Sequence, residues 1–309
     1  MTSILITGSS GFIGAYLAKQ FRANYEVVGL DIDDSAADTC DTFYCKDIRD
    51  RRSLESIFSS HAIDLVIHVA AAKHLVWCEE NPDEASEINF NSTQFLHSLS
   101  SRNRAKFIYI SSDQVFNGEG RDYREEDPRS AINKYGHTKV LCEKLLEDDS
   151  QVAICRTAMV FGKIPDNQRE LFGKVKDQDQ LGVQGFIIGH VLHQLQQGQS
   201  IILPADEFCN PTSNDLLYRQ IKRVIDRDLT GILHCCGRER ISRYQFGLKI
   251  ALAFGLDCSL ISSQGSNDPL RPKDVSMDVF RTQKIIGMNF DTIDTMIGQV
   301  LGETNESRS

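Results

Sequence analysis

Seven residues near the start of the chain, Gly8-Ser9-Ser10-Gly11-Phe12-Ile13-Gly14, restrict the fold more than any other feature. They follow the apolar run Ile4-Leu5-Ile6-Thr7 directly and lead into an amphipathic stretch over 12–22, so a buried strand, a glycine turn and a helix come in succession. Gly8 permits the tight turn, Gly11 lets the backbone approach a bound pyrophosphate, and Gly14 lets the helix pack closely on the strand. The amino end of that helix favours phosphate charge. The spacing is GxxGxxG rather than GxGxxG, and the strand–turn–helix setting is what gives it meaning.

Further short apolar runs follow at 26–30, 42–45, 64–69, 106–110 and 152–156, and helical patterns lie between most of them, near 53–60, 83–100 and 135–147. Pro82 leads in the helix at 83–100. Strands alternating with helices predict an α/β fold, a Rossmann-type doubly wound parallel sheet whose ligands sit beyond the carboxyl ends of its strands. After Gly162 a long polar stretch breaks the series, and SIILP (200–204) and GILHCC (231–236) are read as returning to the sheet. Helical patterns near 242–254 and 280–299 complete a smaller carboxyl-terminal lobe. The expected division is a dinucleotide-binding domain over 1–165 plus about 200–236, and a substrate-binding lobe from 166–199 and 237–309. Only the last residues, GETNESRS, read as irregular.

Composition removes other classes. A length of 309 residues with 41% apolar and 25% charged residues is that of an ordinary globular chain. A net charge of −9 without a dense basic run argues against nucleic acid as a partner. The first apolar run is too short for a membrane span and lacks the basic start and cleavage site of a signal peptide. Nine cysteines without CxxC pairs fit a reduced, cytoplasmic protein, with Cys235 and Cys236 serving as small apolar residues. His68, His137, His190, His193 and His234 form no metal-ligand spacing, so no metal is expected. The oligomeric state is left open, a homodimer being the commonest assembly.

Two further places carry chemistry. Asp31 ends the second strand about twenty residues after the glycine turn, where a carboxylate accepts hydrogen bonds from ribose hydroxyls. With Asp33 and Asp34 nearby, and no Arg in the glycine loop or just after Asp31, a 2′-phosphate meets repulsion. NAD(H) is therefore preferred, with NADP(H) as second choice. Tyr135-Gly136-His137-Thr138-Lys139 places a phenol and an ammonium on one helical face. The ammonium is expected to favour phenolate, letting Tyr135 exchange a proton with a carbonyl or alcohol oxygen near neutrality. Ser112, directly after the run KFIYIS, stands where this architecture puts reactive groups.

Together these residues resemble the extended short-chain dehydrogenase/reductase superfamily, nearest to the dTDP-4-dehydrorhamnose reductase family. The similarity runs over nearly the whole chain, through GSSGFIG, DLVIHVAAAKH, EENPDEASEINFNST, YISSDQVFNGEGRDYREEDP, NKYGHTK, ICRTAMVFG, FCNPT, GILHCCG and LRPKDVSMD. The resemblance implies a catalytic set of Ser112, Tyr135 and Lys139, in which Ser112 holds the substrate oxygen, Tyr135 donates its proton and Lys139 tunes Tyr135 and holds the nicotinamide ribose. It implies a cofactor site of Gly8, Gly11, Phe12, Ile13, Gly14, Asp31, Ile32, Asp47, Ile48, Ala70, Ala71 and Ala72, with Tyr135 and Lys139. Asn89 matches a scaffold position. The implied reaction is reduction of a keto group on a nucleotide-linked sugar.

The chain departs from its relatives on the substrate side. Related dehydratases carry an Asp-Glu pair where this chain has Asp113-Gln114, and an amide is no general base, so dehydration is disfavoured. The nearest branch usually has Tyr at Gln114 and an aromatic at Met159. Lys73, Asp113, Gln114, Met159 and Arg271 are the candidate substrate-binding residues. Arg271 is read either as a partner for a substrate phosphate or carboxylate or as half of a surface salt bridge. The segment 163–185 is read either as a lid or as a surface insertion. Two other functions stay open: an epimerase using bound NAD, and a cofactor-binding regulatory subunit resembling the methionine adenosyltransferase β subunit.

Overall fold

A computed structural model describes residues 2–162 and 187–306; the segment 163–185 falls outside them. Seven parallel strands form the central sheet: β1 (Ser3–Thr7), β2 (Glu26–Asp31), β3 (Thr42–Cys45), β4 (Ile63–His68), β5 (Lys106–Ser112), β6 (Val152–Thr157) and β11 (Gly231–His234). Their order is β11-β6-β5-β4-β1-β2-β3. The expected doubly wound fold is therefore present, with its winding reversed between β1 and β4.

The strands show why. Successive side chains point to opposite faces, and both faces are apolar. Ile4, Ile6, Leu65, Ile67, Ile108, Ile110, Ala153 and Cys155 enter one core cluster. Leu5, Val66, Phe107, Tyr109, Val152 and Ile154, the residues between them, enter the other. Helix α1 (Phe12–Phe21) packs in the first cluster, and α2 (Arg51–Ser60), α5 (Ser92–Arg102) and α6 (Lys134–Leu146) contribute to the second. Helices α3 (Leu75–Glu80) and α4 (Pro82–Ser86) precede a π turn over Glu87–Asn91, so the helix expected at 83–100 carries a wider turn in its middle.

One expected strand goes elsewhere. Gly231–His234 joins the sheet at the edge of β6, but β8 (Ile201–Pro204) pairs in parallel with β13 (Ile261–Gln264) in a separate two-stranded sheet. The burial shows how it sits: Ile201 and Leu203 are buried while Ile202 is 63% exposed. A strand with one wet face suits a small outer sheet rather than one covered on both sides. The helix expected at 280–299 is likewise two, Phe280–Ile286 and Ile293–Glu306, because Gly287 ends the first in a left-handed conformation at φ +64°. The second continues into the tail read as irregular.

A buried ion pair fastens α6 to the sheet. Arg156 on β6 donates from Nη2 to Glu143 Oε2 at 2.8 Å and from Nε to Oε1 at 3.0 Å, and both side chains are fully buried. Ser111 donates to the same Glu143 at 2.6 Å. Nη1 of Arg156 donates to the Glu125 carbonyl at 3.1 Å and meets His234 Nε2 at 3.2 Å. His234 is held neutral, its pKa pushed down to about 4 by burial and then by Arg156. Removing one partner of such a pair leaves the other charge stranded. Arg156→Leu is expected to lower unfolding stability by about 3–5 kcal/mol, measured by urea titration, and Glu143→Leu in the same chain to restore part of that loss.

Candidate active site

The glycine turn lies against the start of the segment after β4. Gly8 has φ +69°, and a Cβ there would stand 2.7 Å from the Ala70 nitrogen. A Cβ on Gly14 would stand 2.0 Å from the Gly8 carbonyl oxygen. Neither position accepts a side chain, so the backbone surface between β1 and β4 stays bare. Gly11 is the N-cap residue of α1 and brings no side chain to that end. A cradle of this kind, at a helix amino terminus, fits a dinucleotide pyrophosphate.

Asp31 holds the cradle in place. Its Oδ2 accepts from the Ser10 N–H at 2.9 Å and its Oδ1 from the Asp33 N–H at 3.2 Å. A carboxylate has about four acceptor positions, so capacity remains for hydroxyl donors. Ile32 beside it is 71% exposed, an apolar surface open to a flat ring. Phe12 and Ile48, by contrast, are core residues whose side chains are buried. Ile13 is half-buried against the core. Asp47 is occupied by Arg49, which bonds both its oxygens and also reaches Glu84. Ala70, Ala71 and Ala72 are half-buried along the same wall. Asn89 fixes them: its amide accepts from the Ala72 N–H at 2.7 Å and donates to the Ala72 carbonyl and to Thr138 on α6, each at 2.9 Å.

Ser112, Tyr135 and Lys139 converge at the carboxyl end of β5. The Lys139 ammonium donates to the Ile110 carbonyl at 2.8 Å and lies 5.8 Å from the centroid of the Tyr135 ring. Burial raises the Tyr135 phenol and Asp113 adds to it, together outweighing the nearby Ser112 hydroxyl, so Tyr135 sits well above the ordinary phenol range. Burial brings Lys139 down to about 8. Desolvation thus opposes the expected pull of Lys139 toward phenolate and favours the protonated phenol. Behind them His68 bridges Thr7 and Thr93 at 2.6 and 2.8 Å, kept neutral by burial, with its pKa near 3.

A small cavity of about 20 Å³ opens beside Asp113, the residue after Ser112. Of the five residues expected on the substrate side, Asp113, Gln114, Met159 and Arg271 line it. Lys73 is not among its lining residues and is exposed. Arg271 pairs with Asp268 at 3.1 Å and also lines the cavity. Met159 has φ +34°, a left-handed backbone unusual for a side-chain-bearing residue.

Several site residues escaped the sequence reading. Asn133 caps α6, accepting from Gly136 N–H at 2.7 Å, and donates to Gln114 Oε1 at 3.1 Å and to the Leu270 carbonyl at 2.9 Å. Its place just before the helix was the available signal. Gly136 is required because a Cβ would stand 2.2 Å from the Gln114 carbonyl. Glu207 and Arg243, ion-paired at 2.6 Å in the cavity wall, gave no signal, being far apart in sequence.

The model describing the RmlD substrate binding domain matches residues 1–305. Over 287 residues the chain is 26% identical to methionine adenosyltransferase 2 subunit beta of Bos taurus, covering 91% of this chain and 82% of that one. It is 28% identical over 265 residues to the spore coat polysaccharide biosynthesis protein SpsK of Bacillus subtilis, covering 85% and 83%. The crystal structure of a hypothetical dTDP-4-dehydrorhamnose reductase from Sulfolobus tokodaii superposes with a TM-score of 0.79 at 26% identity, covering 95% of this chain and 98% of that one. Glycine cradle, Ser/Tyr/Lys convergence and a match along the whole length agree: the chain belongs to the RmlD substrate binding domain family of extended short-chain dehydrogenases/reductases.

Proposed function

We propose that this chain is a nicotinamide-dinucleotide-dependent reductase acting on a keto group of a nucleotide-linked sugar. The observation that carries the reading is the convergence of Ser112, Tyr135 and Lys139 at the carboxyl edge of β5, next to a cavity lined by Arg271. The dinucleotide, when bound, supplies the hydride that reduces the keto carbon and leaves in oxidised form. Gly8, Gly11 and Gly14 receive its phosphates on bare backbone, and Asp31 accepts from its ribose hydroxyls.

Ser112 orients the keto oxygen and Tyr135 transfers its proton there, making a neutral alcohol. The resulting phenolate faces the Lys139 ammonium until it recovers a proton. Arg271 takes a phosphate of the substrate, for which its guanidinium fork is suited. Gln114 supplies hydrogen bonds but no base, which excludes dehydration by the Asp-Glu route.

Two other readings stand behind this one. An epimerase would return the hydride to the same substrate and consume no NADH. The likeness to a methionine adenosyltransferase beta subunit favours a regulatory role, against which stands the complete Ser112, Tyr135 and Lys139 set. Supplied with a panel of nucleotide-linked 4-keto sugars, the protein is expected to oxidise one NADH per ketone lost, followed at the nicotinamide absorbance. Tyr135→Phe should reduce kcat by roughly 10²–10⁴-fold while leaving NADH affinity unchanged. Binding of NADH with no ketone consumed would leave the regulatory reading in its place.

For the cofactor, the Asp31 carboxylate repels a 2′-phosphate, so NADH is expected to bind more tightly than NADPH in fluorescence titration. Asp31→Ala should weaken NADH by roughly tenfold and bring the two dissociation constants together. Equal affinities in the unmodified protein would remove the role given to Asp31.

A further inference from the structure

We infer that Asp113 is a positioning residue that decides whether the Ser112 hydroxyl donates to the substrate, and so makes ketone reduction by this chain depend on pH. The inference rests on the reductase reading above.

A serine hydroxyl has a single proton. Here Ser112 Oγ donates it to Asp113 Oδ1 at 3.0 Å, and the same oxygen accepts from the Gln114 N–H at 3.2 Å. In that arrangement Ser112 has no proton for a keto oxygen, and Tyr135 is left as the sole donor of the pair. A neutral Asp113 reverses the bond. Its carboxyl O–H donates to Ser112 Oγ, and the Ser112 proton is released toward the oxygen being reduced, giving two donors where negative charge develops.

The surroundings make both states accessible. Asp113 is buried, and its contact with Gln114 Nε2 is long at 3.4 Å. Arg243 on the helix Arg243–Ala253 faces it, but that guanidinium is engaged by Glu207 at 2.6 Å. Arg271 and Glu207 share the same cavity wall. Tyr135 from α6 and the thiols of Cys209 and Cys236 are also within its field, all three kept neutral by burial. Desolvation therefore outweighs Ser112, Gln114 and Arg243, and Asp113 titrates at about 6.

The sign follows. Below about pH 6 Asp113 is neutral and Ser112 donates; above it the carboxylate takes the proton back. In the unmodified protein, kcat/KM for reduction of the nucleotide-linked 4-keto sugar should fall by roughly tenfold or more as pH rises through 6. Asp113→Asn has an amide N–H that donates to Ser112 at every pH. It should lose this step and hold the faster rate at pH 8, and Ser112→Ala should lose the step at the slower rate. A residue with only a structural role would change the rate or the stability and leave the profile as it was.

Unfolding provides a measurement independent of substrate. Because the folded pKa lies above the ordinary 3.8, the native state binds more protons than the unfolded chain between those values, and stability falls as pH rises through them. Asp113→Asn should therefore raise Tm more at pH 8 than at pH 4. A step near pH 6 that persists in Asp113→Asn, or no step in the unmodified protein, overturns the inference. If no ketone is reduced at any pH, the reductase reading fails and the inference falls with it. The Tm comparison identifies that case, since Asp113 still titrates there.

Discussion

The bidentate contact between Arg156 and Glu143 is the fixture on which the geometry of this protein depends. Arg156 belongs to β6 and Glu143 to α6, one helical turn beyond Lys139, while Ser111 bonds Glu143 from the residue before Ser112. One buried carboxylate thus ties together the strand that carries Ser112, its neighbour and the helix that carries Tyr135 and Lys139. Burying two charges is costly unless every lone pair and proton finds a partner. Ser111, Arg129, the Glu125 carbonyl and His234 provide those partners, so the pair fixes one position of α6 rather than several.

A second close contact sets the other half of the site. Gly8 meets Ala70, and Gly14 meets Gly8, at distances no Cβ tolerates. Asp31 and Asn89 hold those backbones from either side, one from the end of β2 and the other from the π turn before α5. Asn89 also reaches Thr138, so the wall after β4 and the helix of Tyr135 are joined by one side chain. The cradle and the proton donor are in this way parts of one rigid arrangement.

Burial, more than charge pairing, determines the electrostatics. It lifts Tyr135, lowers Lys139 and lifts Asp113, each toward its neutral form. A low-dielectric pocket with a protonated phenol suits proton donation to an oxygen that is gaining electrons, since donors in such a place act strongly and need little reorganisation. The sequence motif implied the opposite trend for the phenol, because spacing along a helix says nothing of the depth at which that helix lies.

The sequence by itself determined the doubly wound sheet and the glycine turn, and it singled out Ser112, Tyr135 and Lys139, which the fold brings together. These features are encoded locally: an uninterrupted apolar run is a strand covered on both faces, and a glycine at a turn or an i,i+4 pair needs no distant partner to be recognised. The departure of Ile201–Pro204 from the main sheet was not written there, since Ile201-Ile202-Leu203 is an uninterrupted apolar run and only the fold leaves Ile202 exposed. Only the tertiary structure decided what depends on residues far apart in the chain. It brought Glu207 and Arg243 to the wall that Asp113, Gln114, Met159 and Arg271 share, left Lys73 outside it, and placed Asp113 deep enough to titrate near neutrality. The physical reason is that burial and field are properties of everything surrounding a group, and that surrounding is assembled only when the chain has folded.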